Sequence, residues 1–222
     1  MLLAVDTSTA QIGLALHDGG QVLGESLWQS RRHHTIELAP ALVDLLARTG
    51  TEMRTIQALG VAIGPGSFTS LRVGLAFVKG LALALHVPLV GIPTLDVLAA
   101  GQATSKLWLA AVLQAGRGRL ALGRYKAARN SWKPLGGPEV ITVEGLADSI
   151  EKPTLVCGEL TGEDRQRLAR KRVNVTLAAP SACVRRPSIL AELAWERWQA
   201  GRVDEAASLA PIYLHAADPI PA

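Results

Sequence analysis

The sequence predicts an α/β protein built from a duplicated βββαβα fold, with the second copy degraded. Three observations carry this. Through the first hundred residues, short apolar runs that end in turn residues alternate with helical stretches. The second half returns to the same order of strand, hairpin and helix with less regularity. The composition is 49% hydrophobic and 19% charged over 222 residues. That suits a globular chain with one large core or two smaller ones.

The elements follow in order. Residues 2–5 are an apolar run closed by Asp6-Thr7-Ser8-Thr9, and residues 12–16 form a second strand. Asp18-Gly19-Gly20 marks a hairpin into a third strand at 22–28. A helix over 36–48 stops at Gly50, with Pro40 in its first turn or at a kink. A buried strand over 58–63 leads through a glycine turn to a helix over 69–86, a strand over 88–92 and a third helix opening at Thr94. Beyond it, 107–113 and 120–125 pair as a hairpin and 130–138 reads as loop. Then come a strand at 154–157, a helix at 162–170, a strand at 173–177 and a helix at 187–200 with Pro187 at its start. Residues 218–222 read as a frayed tail. The weakest join lies at 101–106, which sets an expected division into subdomains 1–103 and 104–222.

Several function classes find little support. The formal net charge is only +4, and Cys157 and Cys183 are too few to staple a chain of this size. The N-terminal stretch lacks a basic region, and the longest apolar run, 73–85, carries Lys79 and is too short for a bilayer. A soluble cytoplasmic protein is expected. His33 and His34 diverge by about 100° at a helix start, and His17, His86 and His215 stand alone. Ser67 lacks the G-x-S-x-G setting of a nucleophile. The basic stretches 117–126 and 165–172 read first as solvated faces, with contact to RNA phosphate as the lesser reading.

Two loops carry candidate chemistry. Asp6, Thr7, Ser8 and Thr9, between a first strand and a hairpin, have the layout of the first phosphate loop of actin-like and sugar-kinase-like ATPases. The plain alternative is an ordinary turn. Gly64-Pro65-Gly66-Ser67, between a strand and a helix, can present free helix amides to an anion, with Ser67 or Thr69 as cap. No lysine follows at Walker spacing, so a capped helix whose loop serves packing is the equal alternative. Gly66 is expected to need torsions that a Cβ penalises.

The first two helices are apolar on more than one face. Ile36, Ala39, Val43 and Leu46 form one stripe, and Leu38, Leu42 and Leu45 a second. With Leu71, Leu75 and Val78 of the next helix, the second stripe is expected to form a partner surface. The alternative is a helix buried on two sides within the monomer.

The segments "LAVDTSTAQIGLAL", "RRHHTIELAPAL", "GVAIGPGSFTSLRVG", "VPLVGIPTLDVLA" and "APIYL" together resemble the TsaB (YeaZ) family. The resemblance implies an actin-like, ASKHA-type (ribonuclease H-like) fold of two subdomains. It implies a part in forming threonylcarbamoyladenosine in tRNAs that read codons starting with A. It further implies a non-catalytic scaffold or activator, a shortened paralogue of TsaD that pairs with a TsaD-type subunit and a TsaE-type ATPase. Without that TsaD-type subunit the apolar helix surface is expected to pair two copies of the chain; contact with tRNA is expected to be indirect or weak, and no cofactor is expected. In TsaD-like relatives the helix after "PLVGV" carries two metal-binding histidines at i and i+4. Thr94 and Leu98 stand there in this chain, so the ligand positions are lost and the Asp6 loop is expected to be vestigial. The competing readings are an independent ATP-dependent phosphotransferase of the same fold, or a peptidase. The chain departs from the family pattern at Ser70, at Gln114-Ala115-Gly116 and at His215.

Overall fold

The computed structural model describes residues 1–30, 34–170 and 173–214. His33, His215, the expected tail and residues 171–172 of the second basic stretch lie outside them. The described residues pack into two units, Met1–Val97 with Arg185–Ile212, and Leu98–Val184 with 213–214.

The first unit is built on five strands, β1 (Leu2–Asp6), β2 (Gln11–His17), β3 (Val22–Gln29), β4 (Ala58–Ala62) and β5 (Leu89–Ile92), in the order β3-β2-β1-β4-β5. β1, β2 and β3 pair antiparallel, whereas β4 and β5 run parallel to β1. β1 and β4 are buried throughout, as strands covered on both faces must be. Leu3, Val5, Leu14, Leu16, Leu59 and Val61 pack on one side against α1 (His34–Thr49) and α2 (Phe68–Leu85). The other side is lined with small residues, Ala4, Ala15, Ala58 and Ala62, and receives α6 (Pro187–Gln199) through Leu190, Ala191 and Ala194. Gly60 is part of this fit, because a Cβ there would collide with the Cβ of Ala194.

The second unit repeats the plan. β6 (Trp108–Gln114), β7 (Arg119–Ala128), β8 (Ser131–Pro134), β10 (Thr154–Gly158) and β11 (Val175–Leu177) lie in the order β11-β10-β6-β7-β8, with β9 (Glu139–Thr142) on β7. Here too a central strand pairs antiparallel with the next strand and parallel with a later one. α4 (Val143–Ser149) and α5 (Gly162–Arg170) cover a core of Ala110, Val112, Leu120, Leu122 and Val156. α3 (Thr94–Ala100) carries the chain from one unit to the other.

The structure corrects four expectations. The division at 103/104 misses the return of residues 185–212 to the first unit. Residues 131–134 form an edge strand, not loop, despite Pro134 at its end. α2 is, by length and composition alone, apolar enough to cross a membrane, although 73–85 read as too short. In this fold its Leu71, Leu75, Val78 and Ala82 are buried, the last three in the core that holds β1 and β4.

The fourth correction concerns the expected partner surface. Leu38, Leu42, Leu45, Leu71, Leu75 and Val78 are all buried, none more than 6% exposed, so they are core. The outward stripe of α1 is the one read as inward. Ile36 is 68% exposed and Val43 63%, with Ala39 between them also exposed. Leu46, assigned to the same stripe, is buried. Leu42→Ala is therefore expected to cost about 2–5 kcal/mol of unfolding free energy. Val43→Ala, one residue on, is expected to change it by less than about 0.5 kcal/mol. Urea unfolding of the two variants beside the parent measures both, and the reverse order would restore the first assignment.

Candidate functional site

Four chain segments meet at the carboxyl ends of β1, β4 and β5, where open α/β sheets place their ligands. They are Asp6–Thr9, the turn from Gly64 to Ser67, Thr94 at the start of α3, and Arg185 just before α6. Their polar side chains are buried: Asp6, Thr7, Ser8, Thr94 and Arg185 are each at most 2% exposed and Thr9 is 7%. A buried polar group must be bonded or it destabilises the fold.

Each one is bonded. Ser8 N donates to Asp6 Oδ1 at 2.8 Å, and Arg185 Nε donates to Asp6 Oδ2 at 2.8 Å. Arg185 Nη2 reaches Thr9 Oγ1 at 2.8 Å and the Gln11 carbonyl at 3.3 Å. Thr7 Oγ1 donates to the Ser70 carbonyl at 2.7 Å. Ser8 Oγ and Thr94 Oγ1 lie 2.8 Å apart, and Thr94 Oγ1 accepts from Gly64 N at 2.9 Å. Ser67 N donates to the Ser8 carbonyl at 2.7 Å, which joins the two candidate loops directly. His34 Nε2 lies 2.9 Å from the Thr9 carbonyl.

The two glycines of the turn serve different needs. Gly64 has φ of +103°, the left-handed region that favours glycine. Gly66 does not; a Cβ there would overlap the Ser8 carbonyl. The expected torsional requirement thus belongs to Gly64, and Gly66 is held by close approach. Gly74 of α2 is similar, since its missing side chain makes room for Thr7. Ser67 is the N-cap of α2, with Ser70 N at 3.5 Å and Ser70 Oγ at 3.0 Å from its hydroxyl.

The structure therefore brings together Asp6, Thr7, Ser8, Thr9, Gly64, Gly66 and Ser67, and adds Arg185, which sequence reading missed. Nothing local marks it, as it lies 179 positions from the carboxylate it meets. A nucleotide phosphate with its metal, which the first loop of an actin-like fold implies, does not fit residues so arranged. A guanidinium already holds one oxygen of Asp6, and the loop hydroxyls of Thr7, Ser8 and Thr9 are bonded to protein atoms. Thr94 is engaged with Ser8 and Gly64, and Leu98 is buried at 1% exposure, so the two side chains serve the loop and the core. Among the described residues no group of three or more His, Cys, Asp or Glu could hold a metal ion. Burial pushes the Cys157 thiol well above its usual range. In the second unit, Gln114 bonds the Glu159 carbonyl at 3.1 Å and Asp164 Oδ2 at 3.3 Å, tying the end of β6 to the start of α5.

Known proteins agree with this architecture. A family model described as "TsaD: tRNA N6-adenosine threonylcarbamoyltransferase" matches residues 22–181. The tRNA threonylcarbamoyladenosine biosynthesis protein TsaB of Escherichia coli is 38% identical over 100 residues, 45% of this chain and 43% of that protein. The matched stretch spans about half the length, or somewhat less, of the curated relatives. The solved structure of YeaZ from Pseudomonas aeruginosa aligns over 96% of this chain and 99% of its own, with a TM-score of 0.79 and 28% identity. The ethanolamine utilization protein EutJ of Carboxydothermus hydrogenoformans shares the fold alone, covering 85% of this chain and 88% of its own at 15% identity and a TM-score of 0.52.

Two stability tests follow from the geometry. Asp6→Ala leaves Arg185 buried without its carboxylate and is expected to lower stability by about 3–5 kcal/mol. Gly66→Val is expected to lower the melting temperature through overlap with Ser8, and an unchanged transition in calorimetry would contradict the packing described here. Together, the match over 22–181 and the likeness to YeaZ over nearly the whole chain place this protein in the TsaB (YeaZ) family, among relatives of TsaD.

Proposed function

We propose that this chain is a non-catalytic accessory subunit in the formation of threonylcarbamoyladenosine on tRNAs that read codons starting with A. It pairs with a TsaD-type catalytic paralogue, and a TsaE-type ATPase completes the assembly. The observation that carries the non-catalytic half is the Asp6–Arg185 pair, which engages the carboxylate that a working phosphate loop would need for its metal. The same pair weighs against an independent phosphotransferase. A peptidase finds no support in a fold whose fully buried Cys157 has its ionisation opposed.

The partner surface in this reading is the exposed face of the two helices that cover the first sheet. On α1 it runs through Ile36, Ala39 and Val43. On α2, Phe68, Arg72, Ala76 and Leu83 fall on one face at helical spacing, and Phe68 and Leu83 are 56% and 79% exposed. A groove of about 500 Å³ opens between the helices, lined by His34, Leu38, Phe68, Arg72, Val73 and Phe77. Large apolar residues exposed on two neighbouring helices suit an association surface. In the absence of the paralogue the same face pairs two copies of this chain.

Affinity capture of the tagged chain from its own cells is expected to retain a TsaD-type protein as the main partner. Val43→Glu with Leu83→Glu should keep the parent's circular dichroism and lose that partner. Undiminished capture by this variant would move the contact to another face, and a parent that retains no such protein would overturn the function.

A further inference from the structure

We propose that the second unit carries an RNA-backbone contact, centred on Trp108 and the lysines around it. This rests on the function proposed above, which makes tRNA the macromolecule at hand. The first observation is where the charge sits. Residues 98–184 hold thirteen lysines and arginines against seven acids. Residues 1–97 and 185–212 hold ten against eleven. The modest surplus of the whole chain is thus concentrated in the smaller unit.

The second observation is how the strands gather part of it. Leu109 pairs with Tyr125 across β6 and β7, and Tyr125 pairs with Pro134 across β7 and β8. Leu109 and Tyr125 are buried. One rung further along the ladder stand Trp108, Lys126 and Lys133, on the opposite face by the alternation of the strand. Lys126 and Lys133 are paired directly in register, and both are exposed. Like charges directly opposite one another destabilise a sheet. Lys152, just before β10, places its Nζ 4.4 Å from the centroid of the Trp108 ring. Among the described residues none of these three lysines reaches a carboxylate at ion-pair distance; Glu139, on neighbouring β9, is engaged by Arg124 at 3.0 Å. Arg129 stands exposed in the turn between β7 and β8.

An aromatic ring flanked by unpaired ammonium groups suits a single strand or loop of RNA, with phosphates on the lysines and a base against the indole. Such a contact reads no sequence and weakens steeply with salt. The competing explanation is that Lys133 protects the edge strand β8 from pairing with another chain.

The test is fluorescence anisotropy with the full chain and a labelled transcript of a tRNA that reads a codon starting with A. Lys126→Glu/Lys133→Glu is compared with the parent and with Arg48→Glu/Arg54→Glu, a charge-matched change in the first unit. The expected result is at least a tenfold loss of affinity in the lysine variant only. Its plot of log K against log salt should also be shallower by about 1.4, the loss of two phosphate contacts at about 0.7 each for a single strand. Should that variant fail to fold, Lys126→Gln/Lys133→Gln is read in its place. No binding by the parent at low salt, equal loss in both variants, or full binding by the lysine variant each overturns the proposal; the last leaves edge protection as the role of Lys133. Capture of the TsaD-type partner by the same variants separates the two readings. Partner retained without an RNA effect sinks this inference alone, and partner absent from the parent sinks the function while the titration still judges this surface.

Discussion

The contact between Arg185 and Asp6 is the constraint on which the first unit turns. Both side chains are almost fully buried, 1% and 3% exposed, at a separation of 2.8 Å. A buried pair of this kind adds little stability over an apolar pair, but losing one partner is severe. Its effect here is to fix a distant segment against the end of β1. Once Arg185 is seated, Pro187 opens α6 directly against Gly13 of β2, whose missing side chain leaves room for the ring. Glu25 of β3 then accepts from Ser188 N at 3.1 Å and pairs with Arg186. Burial acts against the Glu25 carboxylate, yet Arg186 and Ser188 hold it below the usual carboxylate range.

The consequences run through the rest of the unit. α6 lies close on the sheet where Ala4, Ala15, Ala58, Ala62 and Gly60 face it, with Leu2, Val90 and Ile92 in the same core. In the last turn of α6 Arg197 donates to the Gly91 carbonyl at 2.6 Å, and past the helix Asp204 accepts from Gly91 N at 2.7 Å. Ile212 N then donates to the Ile63 carbonyl at 2.7 Å. The returning chain thus covers the open edge of β5, an edge that natural sheets do not leave bare. The Asp6–Thr9 loop is thus the joint at which the returning segment is fixed to β1.

The alternation of elements was legible because it is local. The helix 162–170 lies as expected, and the Pro187 helix ends within a residue of its expected end, since capping and proline signals sit inside their own stretch of sequence. The two stripes of α1 were not distinguishable, because Ile36, Ala39 and Val43 are as apolar as Leu38, Leu42 and Leu45. Which stripe faces inward is decided by the partners it meets. The helix α4, directly behind β9, gave little signal, because the strand is only four residues long and the helix seven, too short for a period to show. In the candidate site, the two loops and their glycines were visible from spacing. Arg185 was not, since no local pattern reports a contact made across most of the chain.

The central claim is that the Asp6 loop is closed by the protein's own cation, Arg185. Isothermal titration of Mg–ATP into the purified parent chain tests this most directly. The account predicts no saturable heat up to millimolar nucleotide. Stoichiometric binding that Asp6→Asn abolishes would contradict it.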